Sequence, residues 1–203
     1  MTQPRLTADW GFACLIEVQG MPPILFDTGA SGSILLHNMK QLRLDPRDIG
    51  IVVISHPHGD HTGGLRAILE VNRDVELYLP QSLGIEFSGR KITRVKQPLE
   101  IRQGVFTTGE LGGMEQSLAI NTKRGLLVVV GCSHPGVGNI LDAASAFGKI
   151  YGIIGGFHGF HHFDRLKPLP LICPCHCTQY KSEIMRLFPQ QCIKCGGGLV
   201  IEL

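Results

Sequence analysis

Positions 55–64 of the chain read Ser55-His56-Pro57-His58-Gly59-Asp60-His61-Thr62-Gly63-Gly64, which places three imidazoles and one carboxylate within six residues. The stretch directly follows the apolar run 51–54, which is typical of a buried strand. Polar groups at the end of such a strand are costly to desolvate unless a cation compensates them. Histidine combined with a carboxylate suits Zn, Mn or Fe. The pattern therefore indicates a metal-binding loop rather than a solvated loop that happens to be rich in histidine.

Size and composition limit the alternatives. With 203 residues, 43% of them hydrophobic, the chain can build a substantial core, and we expect a single domain over residues 1–203. The net charge of +2 is too mild to indicate a nucleic-acid-binding surface. No secretory segment is evident and no apolar run approaches membrane-spanning length. We therefore expect a cytoplasmic protein that binds neither nucleic acid nor membrane. The basic stretch 90–96 is expected to be a solvated edge strand, with phosphate contact as the alternative.

Five of the seven cysteines cluster near the C-terminus. Cys173, Cys175 and Cys177 alternate along the chain, and Cys192 and Cys195 form a C-x-x-C pair. Without a signal peptide, a secreted disulfide framework is not expected. Two interpretations stay open: reduced, partly buried thiols, or a structural zinc site that uses Cys192, Cys195 and one or two of the earlier cysteines. The remaining two, Cys14 and Cys132, have the character of small core residues at strand ends.

Apolar periodicity predicts a mixed α/β chain. Strands are expected over 11–18, 23–27, 49–55, 75–79, 125–131, 150–154 and 199–201, with several short strands between 92 and 122. Helices are expected over 33–42, from about 62–64 through Leu69, over 137–147 and over 180–188. Ligand-type residues recur just after strands, at His134, His158 and His176. Loops at one edge of a sheet can converge, so we expect these residues to share a site with the stretch 55–64.

These motifs resemble the metallo-β-lactamase superfamily. The resemblance rests on the H-x-H-x-D-H motif after a strand, on the upstream Phe26-Asp27-Thr28-Gly29 and on the later single histidines. Four further segments resemble the branch labelled after 7,8-dihydropterin-6-methyl-4-(β-D-ribofuranosyl)-aminobenzene-5′-phosphate synthase. They are Thr108-Gly109-Glu110, Glu115-Gln116-Ser117-Leu118, Gly131-Cys132-Ser133-His134-Pro135-Gly136 and Gly155-Gly156-Phe157-His158.

The resemblance implies a fold and a ligand set. The fold would be a four-layer αββα sandwich with the site in a groove at one edge. One metal ion would be bound by His56, His58 and His134. A second ion would be bound by Asp60, His61 and His176. Asp27 would support the loop without binding metal, which also fits a turn or N-cap aspartate.

One departure from the superfamily pattern concerns the bridging aspartate that most members supply between the last two histidine motifs. Residues 135–175 contain only Asp142 and Asp164, and the expected strand end carries His158 instead. A neutral imidazole binds one metal at a time and cannot replace a bridging carboxylate. Three alternatives follow: the metals share only a hydroxide, the second site is weak or empty, or Asp164 acts as the bridging aspartate. His158 itself would contact metal or substrate, or form part of the pocket wall.

The implied function is a metal-dependent hydrolase that uses a metal-bound hydroxide on a phosphoester or another small ester or amide. Zn, as one or two ions, is the expected metal, with Mn or Fe as alternatives. The expected catalytic residues are Asp60 and His158, and Glu110 is either a substrate contact or a turn residue. The partner would be a small-molecule substrate, with phosphorylated compounds among the candidates. A di-iron redox or oxygen-sensing protein and a non-catalytic metal-binding module are the rival classes, and His58 favours the hydrolase because the iron variants typically carry a carboxylate there.

Overall fold

A computed structural model describes residues 3–203, which fall into two compact units, residues 3–96 and residues 97–203. Met1 and Thr2 lie outside the described residues. Each unit combines one β-sheet with helices, so the mixed α/β class predicted from the sequence is confirmed. A single domain over residues 1–203 stays a prediction. Within the described residues, no helix has both the length and the apolar character that crossing a membrane requires.

The first unit contains five strands and three α-helices. The strands are β1 (Cys14–Ile16), β2 (Ile24–Phe26), β3 (Ile51–Val53), β4 (Glu76–Pro80) and β5 (Ile92–Val95). The helices are α1 (Gly32–Gln41), α2 (Gly59–Thr62) and α3 (Leu65–Val71), with a 3-10 turn at Pro46–Asp48. The sheet order is β1-β2-β3-β4-β5, and β2 to β5 are parallel while β1 is antiparallel to β2. The core packs β2, β3 and β4 against α1 and α3, with Val52, Met39 and Ile68 among its buried members.

The second unit contains six strands and two α-helices. The strands are β6 (Leu99–Arg102), β7 (Val105–Thr107), β8 (Leu118–Thr122), β9 (Gly125–Val130), β10 (Ile150–Gly156) and β11 (Leu171–Cys175). The helices are α4 (Val137–Ser145) and α5 (Lys181–Leu187), with a 3-10 turn at Phe163–Arg165. The sheet order is β11-β10-β9-β8-β7-β6; β9, β10 and β11 are mutually parallel and the other pairs are antiparallel. Buried side chains of β9, β10 and β11 pack against α4 and α5.

The end of β10 requires a glycine. Gly155 has a φ of 133°, and a Cβ at this position would lie 2.0 Å from the Val130 carbonyl oxygen of β9. No side chain can occupy that space without a backbone shift, and L-residues avoid this φ. The glycine therefore allows β9 and β10 to run side by side up to the loops that carry His134 and His158.

The predicted elements agree with the structure except at two places, and the structure adds β11, for which no bounds were predicted. The strand expected over 199–201 is wrong: these residues pair with no strand, and Val200 is 78% exposed. Three apolar residues without a neighbouring strand cannot satisfy their backbone groups in a sheet. The helix expected from about 62–64 is instead two helices, and α2 begins at Gly59, inside the histidine-rich stretch.

The basic stretch 90–96 forms the edge strand β5, as predicted. Two of its arginines bind backbone carbonyls of the same unit. Arg90 donates to the carbonyls of Leu69, Asn72 and Arg73. Arg94 donates to the carbonyls of Leu83 and Ile85 and to the Glu86 carboxylate. These bonds give both guanidinium groups a structural role on the edge of the sheet.

Candidate metal centre

In the first unit, the candidate ligands and the supporting residue Asp27 follow the carboxyl ends of two adjacent parallel strands. Asp27 follows β2, and the stretch 55–61 follows β3, which pairs with β2 through Phe26 and Val53. Asp27 has a φ of 59° and donates its N–H to the Val53 carbonyl at 2.8 Å. A left-handed aspartate is uncommon, and such strain is concentrated at functional sites. The turn directs the Asp27 carboxylate under the loop that carries the histidines.

The Asp27 carboxylate is fully buried and accepts three hydrogen bonds from that loop. Oδ1 accepts the Ser55 N–H at 2.7 Å. Oδ2 accepts the Ser55 hydroxyl at 2.7 Å and His61 Nδ1 at 2.6 Å. Ser55 and His61 are also fully buried, so these bonds are strengthened by the apolar surroundings.

The same network determines which ring nitrogens of His56 and His61 are protonated. Because an ionised carboxylate only accepts, His61 must carry its proton on Nδ1, which leaves a lone pair on Nε2. The Ser55 hydroxyl donates its only proton to Asp27, so at its 2.8 Å contact with His56 Nδ1 it must accept. His56 is then also protonated on Nδ1 and presents the lone pair of Nε2. Metal-binding histidines are oriented in this way by a carboxylate or another acceptor behind the ring.

The loop thereby presents two pairs of ligand atoms. His56 Nε2 lies 3.1 Å from His58 Nδ1. His61 Nε2 lies 3.8 Å from Asp60 Oδ2. Two atoms bonded to one tetrahedral Zn²⁺ lie about 3.3–3.5 Å apart, given bond lengths of about 2.0–2.2 Å. Both separations are close to this value, so the chemistry and the spacing of the donors fit a bound divalent metal ion.

In the second unit, three histidines follow three neighbouring parallel strands. His134 comes after β9, His158 after β10 and His176 directly after β11. The rings of His134 and His158 have their centroids 5.1 Å apart. Ser133, His158 and His176 have φ values of 61°, 45° and 41°. Together with Asp27, they account for four of the five non-glycine residues with positive φ among residues 3–203. Backbone strain is thus concentrated at these strand ends.

Glu115 holds the His134 loop in place. Its side chain is 1% exposed, and its carboxylate accepts three consecutive backbone N–H groups. Oε1 accepts from Cys132 and Ser133 at 3.0 and 2.9 Å, and Oε2 accepts from His134 at 2.8 Å. This role of Glu115 was not predicted from the sequence, where Glu110 was the glutamate considered as a substrate contact. Glu115 fits the role because its carboxylate satisfies donors that a left-handed turn at Ser133 leaves outside the sheet.

Further hydrogen bonds connect the three loops. Ser133 Oγ donates to the Gly156 carbonyl at 2.7 Å, which connects the loop after β9 to the end of β10. The N–H of Phe157 donates to Thr178 Oγ1 at 3.0 Å, and the N–H of Gln179 donates to the His158 carbonyl at 2.9 Å. The backbones that carry the three histidines are therefore positioned relative to one another before any ligand binds.

Cys132 is a candidate ligand that the sequence interpretation assigned to the core. Its side chain is 4% exposed, and its Sγ lies within 4.8 Å of a ring nitrogen of His134 and of one of His176. A thiolate is a good ligand for Zn²⁺ and can bridge two ions. The position of Cys132 two residues before His134 was a signal in the sequence, but a cysteine after an apolar strand equally fits the core.

The aspartates in the window 135–175 are both exposed. Asp142 pairs with Arg165, and Asp164 lines the same surface groove as Asp142 and Arg165. His161 and His162 are exposed as well, with ring centroids 4.4 Å apart. The geometry therefore gives Asp164 no bond to the histidine loops, and it offers Cys132 as the residue that accompanies His134 and His176.

The role of Glu115 leads to a stability prediction. Glu115→Gln would put an NH2 group against at least one of the three backbone N–H groups, leaving buried donors opposed to each other. We expect a loss of about 1–3 kcal/mol in the free energy of unfolding, measured by urea denaturation. The matched control is Glu100→Gln, because Glu100 accepts a single exposed N–H, from Gly104 at 2.8 Å. Equal stability of the two variants would show that Glu115 does not hold this loop.

Comparison with known proteins identifies the family. A family model described as the metallo-beta-lactamase superfamily matches residues 11–119. Because this match covers more than half of the 203 residues, the chain belongs to the metallo-β-lactamase superfamily. A solved structure described as a metal-dependent hydrolase of the beta-lactamase superfamily matches with a TM-score of 0.77 and 27% identity, over 100% of this chain and 95% of that one. The predicted metallo-β-lactamase fold is thereby confirmed.

Two curated relatives extend the comparison. The chain is 29% identical to 7,8-dihydropterin-6-methyl-4-(beta-D-ribofuranosyl)-aminobenzene-5'-phosphate synthase of Methanocaldococcus jannaschii, over 95% of this chain and 89% of that protein. It is 32% identical to metallo-beta-lactamase domain-containing protein 1 of Rattus norvegicus, over 62% of this chain and 51% of that protein. The first relative belongs to the branch that the sequence motifs resemble.

Proposed function

We propose that this protein is a metal-dependent hydrolase with two ligand sets. One set comprises His56, His58 and His134, and the other comprises Asp60, His61 and His176. The observation that carries the proposal is the buried Asp27–Ser55 network, which places the ring proton of both His56 and His61 on Nδ1 and so makes each Nε2 the atom that could bind a metal ion. A solvated loop would not need a buried carboxylate to orient two imidazoles, whereas a metal site does.

In the proposed reaction the metal ions and the side chains have different roles. A bound Zn²⁺ would lower the pKa of a coordinated water toward 7 and so supply a nucleophile at neutral pH. Asp60 would accept a hydrogen bond from this water and orient it toward the substrate. His158, exposed beside His134, donates an N–H to the substrate oxygen on which negative charge develops. Cys132 is a further ligand in this proposal, in the role that an aspartate has in most of the superfamily.

The proposed substrate is a phosphoester or another small ester or amide. Two comparisons support this class: the solved relative is described as a metal-dependent hydrolase, and the name of the methanogen relative includes a 5'-phosphate. We propose Zn as the metal, as one or two ions. A cytoplasmic location and a small-molecule partner, with neither nucleic acid nor membrane bound, stay predictions from the sequence.

Metal removal tests the proposal. The full chain stripped with a chelator is expected to lose hydrolysis of a chromogenic phosphodiester down to the rate of buffer alone. Addition of Zn²⁺ or Mn²⁺ is expected to restore it, and the same ions without protein provide the control. Activity that survives complete metal removal would contradict the proposal.

Metal analysis of protein purified without added metal tests the redox alternative. Bound iron with visible absorption and no hydrolysis of phosphodiesters, esters or amides would favour the di-iron protein over the hydrolase. Tight stoichiometric zinc with only weak activity on every substrate would favour the non-catalytic module. Stoichiometric Zn together with clear turnover is the expected result.

A further inference from the structure

A cluster of three thiols lies in the second unit and, unlike the ligand sets above, contains no histidine. The Sγ atoms of Cys173, Cys175 and Cys195 all lie within 4.8 Å of one another. The Sγ atoms of Cys173 and Cys175 are 3.8 Å apart. None of the three forms a disulfide bond; Cys173 and Cys175 are buried at 0% and 2% exposure, and Cys195 is partly accessible.

The first two members of the cluster share a face of β11. Side chains at positions i and i+2 of a strand point to the same side, so Cys173 and Cys175 are neighbours while Pro174 points to the other. The opposite face carries Ile172, which packs into the core with Ile184 of α5. The strand therefore places two sulfurs side by side on one buried surface.

The third member is brought in by a short parallel pairing beyond α5. Ile172 bridges to Cys192 in parallel, with the Ile172 N–H donating to the Gln191 carbonyl and the Ile193 N–H donating to the Ile172 carbonyl, both at 2.9 Å. This pairing is a single bridge, and three residues further along the two segments stand Cys175 and Cys195, whose Sγ atoms lie within 4.8 Å of each other.

The same bridge separates Cys192 from the cluster. As the partner of Ile172, Cys192 lies on the core-facing side, where it packs against the apolar cluster and its Sγ lies 3.7 Å from the Ile184 carbonyl. The zinc site considered from the sequence used both members of the C-x-x-C pair. The structure selects Cys195 and leaves Cys192 as a packing residue, which makes Cys192 a matched control.

We propose that Cys173, Cys175 and Cys195 form a second metal site, which binds a thiophilic ion such as Zn²⁺ through three sulfur ligands. Soft thiolates select Zn²⁺ and Cu⁺ over hard cations, and three protein ligands suffice to hold a Zn²⁺ ion. A metal here would join β11 to the segment after α5, which contributes no strand to the sheet.

The electrostatic surroundings favour a thiolate in the cluster. Hydrogen bonds with the Cys173 and Cys175 thiols lower the pKa of Cys195; burial opposes this effect, and the Lys181 ammonium lowers the pKa further. The thiolate, and not the thiol, is the metal ligand. Hydrogen bonds with the Cys173 and Cys195 thiols, together with burial, raise the pKa of Cys175, so the surroundings favour the thiolate at Cys195 and the thiol at Cys175.

Cobalt substitution tests the site. The full chain, with its thiols reduced and its metals removed, is titrated with Co²⁺, whose bonds to thiolates give charge-transfer absorption in the near ultraviolet. To remove the first metal centre, the titration uses the double variant His58→Ala, Asp60→Ala. We expect this protein to keep the absorption and to bind about one equivalent of Co²⁺ through the thiols. Because the histidine centre is disabled, failure of the thiol site is distinguishable from failure of the proposed hydrolase.

Single substitutions then assign the ligands. In the background of the double variant, Cys195→Ser and Cys195→Ala are each expected to lose most of the absorption and about one equivalent of Co²⁺, while Cys192→Ser and Cys177→Ser retain both. Two variants at Cys195 are used so that a misfolded one can be recognised by circular dichroism. Absence of thiolate absorption in reduced protein, or its persistence in both Cys195 variants, would overturn the proposal. Loss only in Cys132→Ser would also overturn it, by placing the thiolate in the histidine centre.

Discussion

His58→Ala and Asp60→Ala are each expected to reduce hydrolysis of a generic phosphodiester or ester by about a thousandfold or more, equivalent to about 4 kcal/mol of transition-state stabilisation. Each substitution removes one member of a ligand pair: His58 Nδ1 lies 3.1 Å from His56 Nε2, and Asp60 Oδ2 lies 3.8 Å from His61 Nε2. The measurement is kcat/KM at saturating metal, together with the number of bound ions.

The fold is expected to survive both substitutions. His58 is exposed and the Asp60 side chain is 24% exposed, so neither contributes to the core. His37→Ala is the matched control, because His37 is an exposed histidine on α1, and it should leave activity unchanged. Near-normal turnover of either His58→Ala or Asp60→Ala at saturating metal would contradict the hydrolase proposal.

Asp27→Asn is expected to weaken metal binding about 10–100-fold without removing any ligand. If the amide oxygen keeps the Ser55 N–H, the NH2 group faces the Ser55 hydroxyl and His61 Nδ1, which are 2.7 and 2.6 Å from Oδ2. His61 must then accept at Nδ1 and carry its proton on Nε2. The Ser55 hydroxyl is free to donate to His56, which shifts that proton to Nε2 as well. Both imidazoles thereby lose the lone pair that would bind a metal ion.

Two measurements check the prediction for Asp27→Asn. Competition with a chromophoric chelator gives the metal affinity, and ¹⁵N NMR of the metal-free protein gives the histidine tautomers. Asp48→Asn is the control, since Asp48 is exposed in the 3-10 turn of the same unit. Unchanged affinity together with Nδ1-protonated His56 and His61 would show that Asp27 does not orient these rings.

The main elements of the fold were predictable because they depend on local patterns. The apolar run at 51–53 is buried throughout, and the helix expected over 33–42 lies within one residue of α1. Buried strands and amphipathic helices leave such periodicity in the sequence. The strand expected over 199–201 failed because its formation depends on a neighbouring strand, which a local pattern does not reveal.

The candidate site was predictable only in part. The ligand types in the stretch 55–61 were readable because they are adjacent in the chain. The role of Glu115 was not, since it accepts hydrogen bonds from residues 17 to 19 positions away. A buried carboxylate that satisfies backbone donors looks, in a sequence, like any glutamate in a turn. Asp164 was one of three alternatives for the missing bridging aspartate, and its exposure could not be read from residue type either.

For this chain, the order of residues settles the chemistry that is available: imidazoles and carboxylates after strands, and sulfur near the C-terminus. Their protonation and partners depend on long-range pairing. The Asp27 carboxylate reaches His61 across 34 positions, and the register between β11 and the segment 191–193 decides that Cys195, and not Cys192, meets Cys173 and Cys175. The physical reason is that hydrogen bonds and metal ligation act over a few ångströms in space, whatever the separation along the chain.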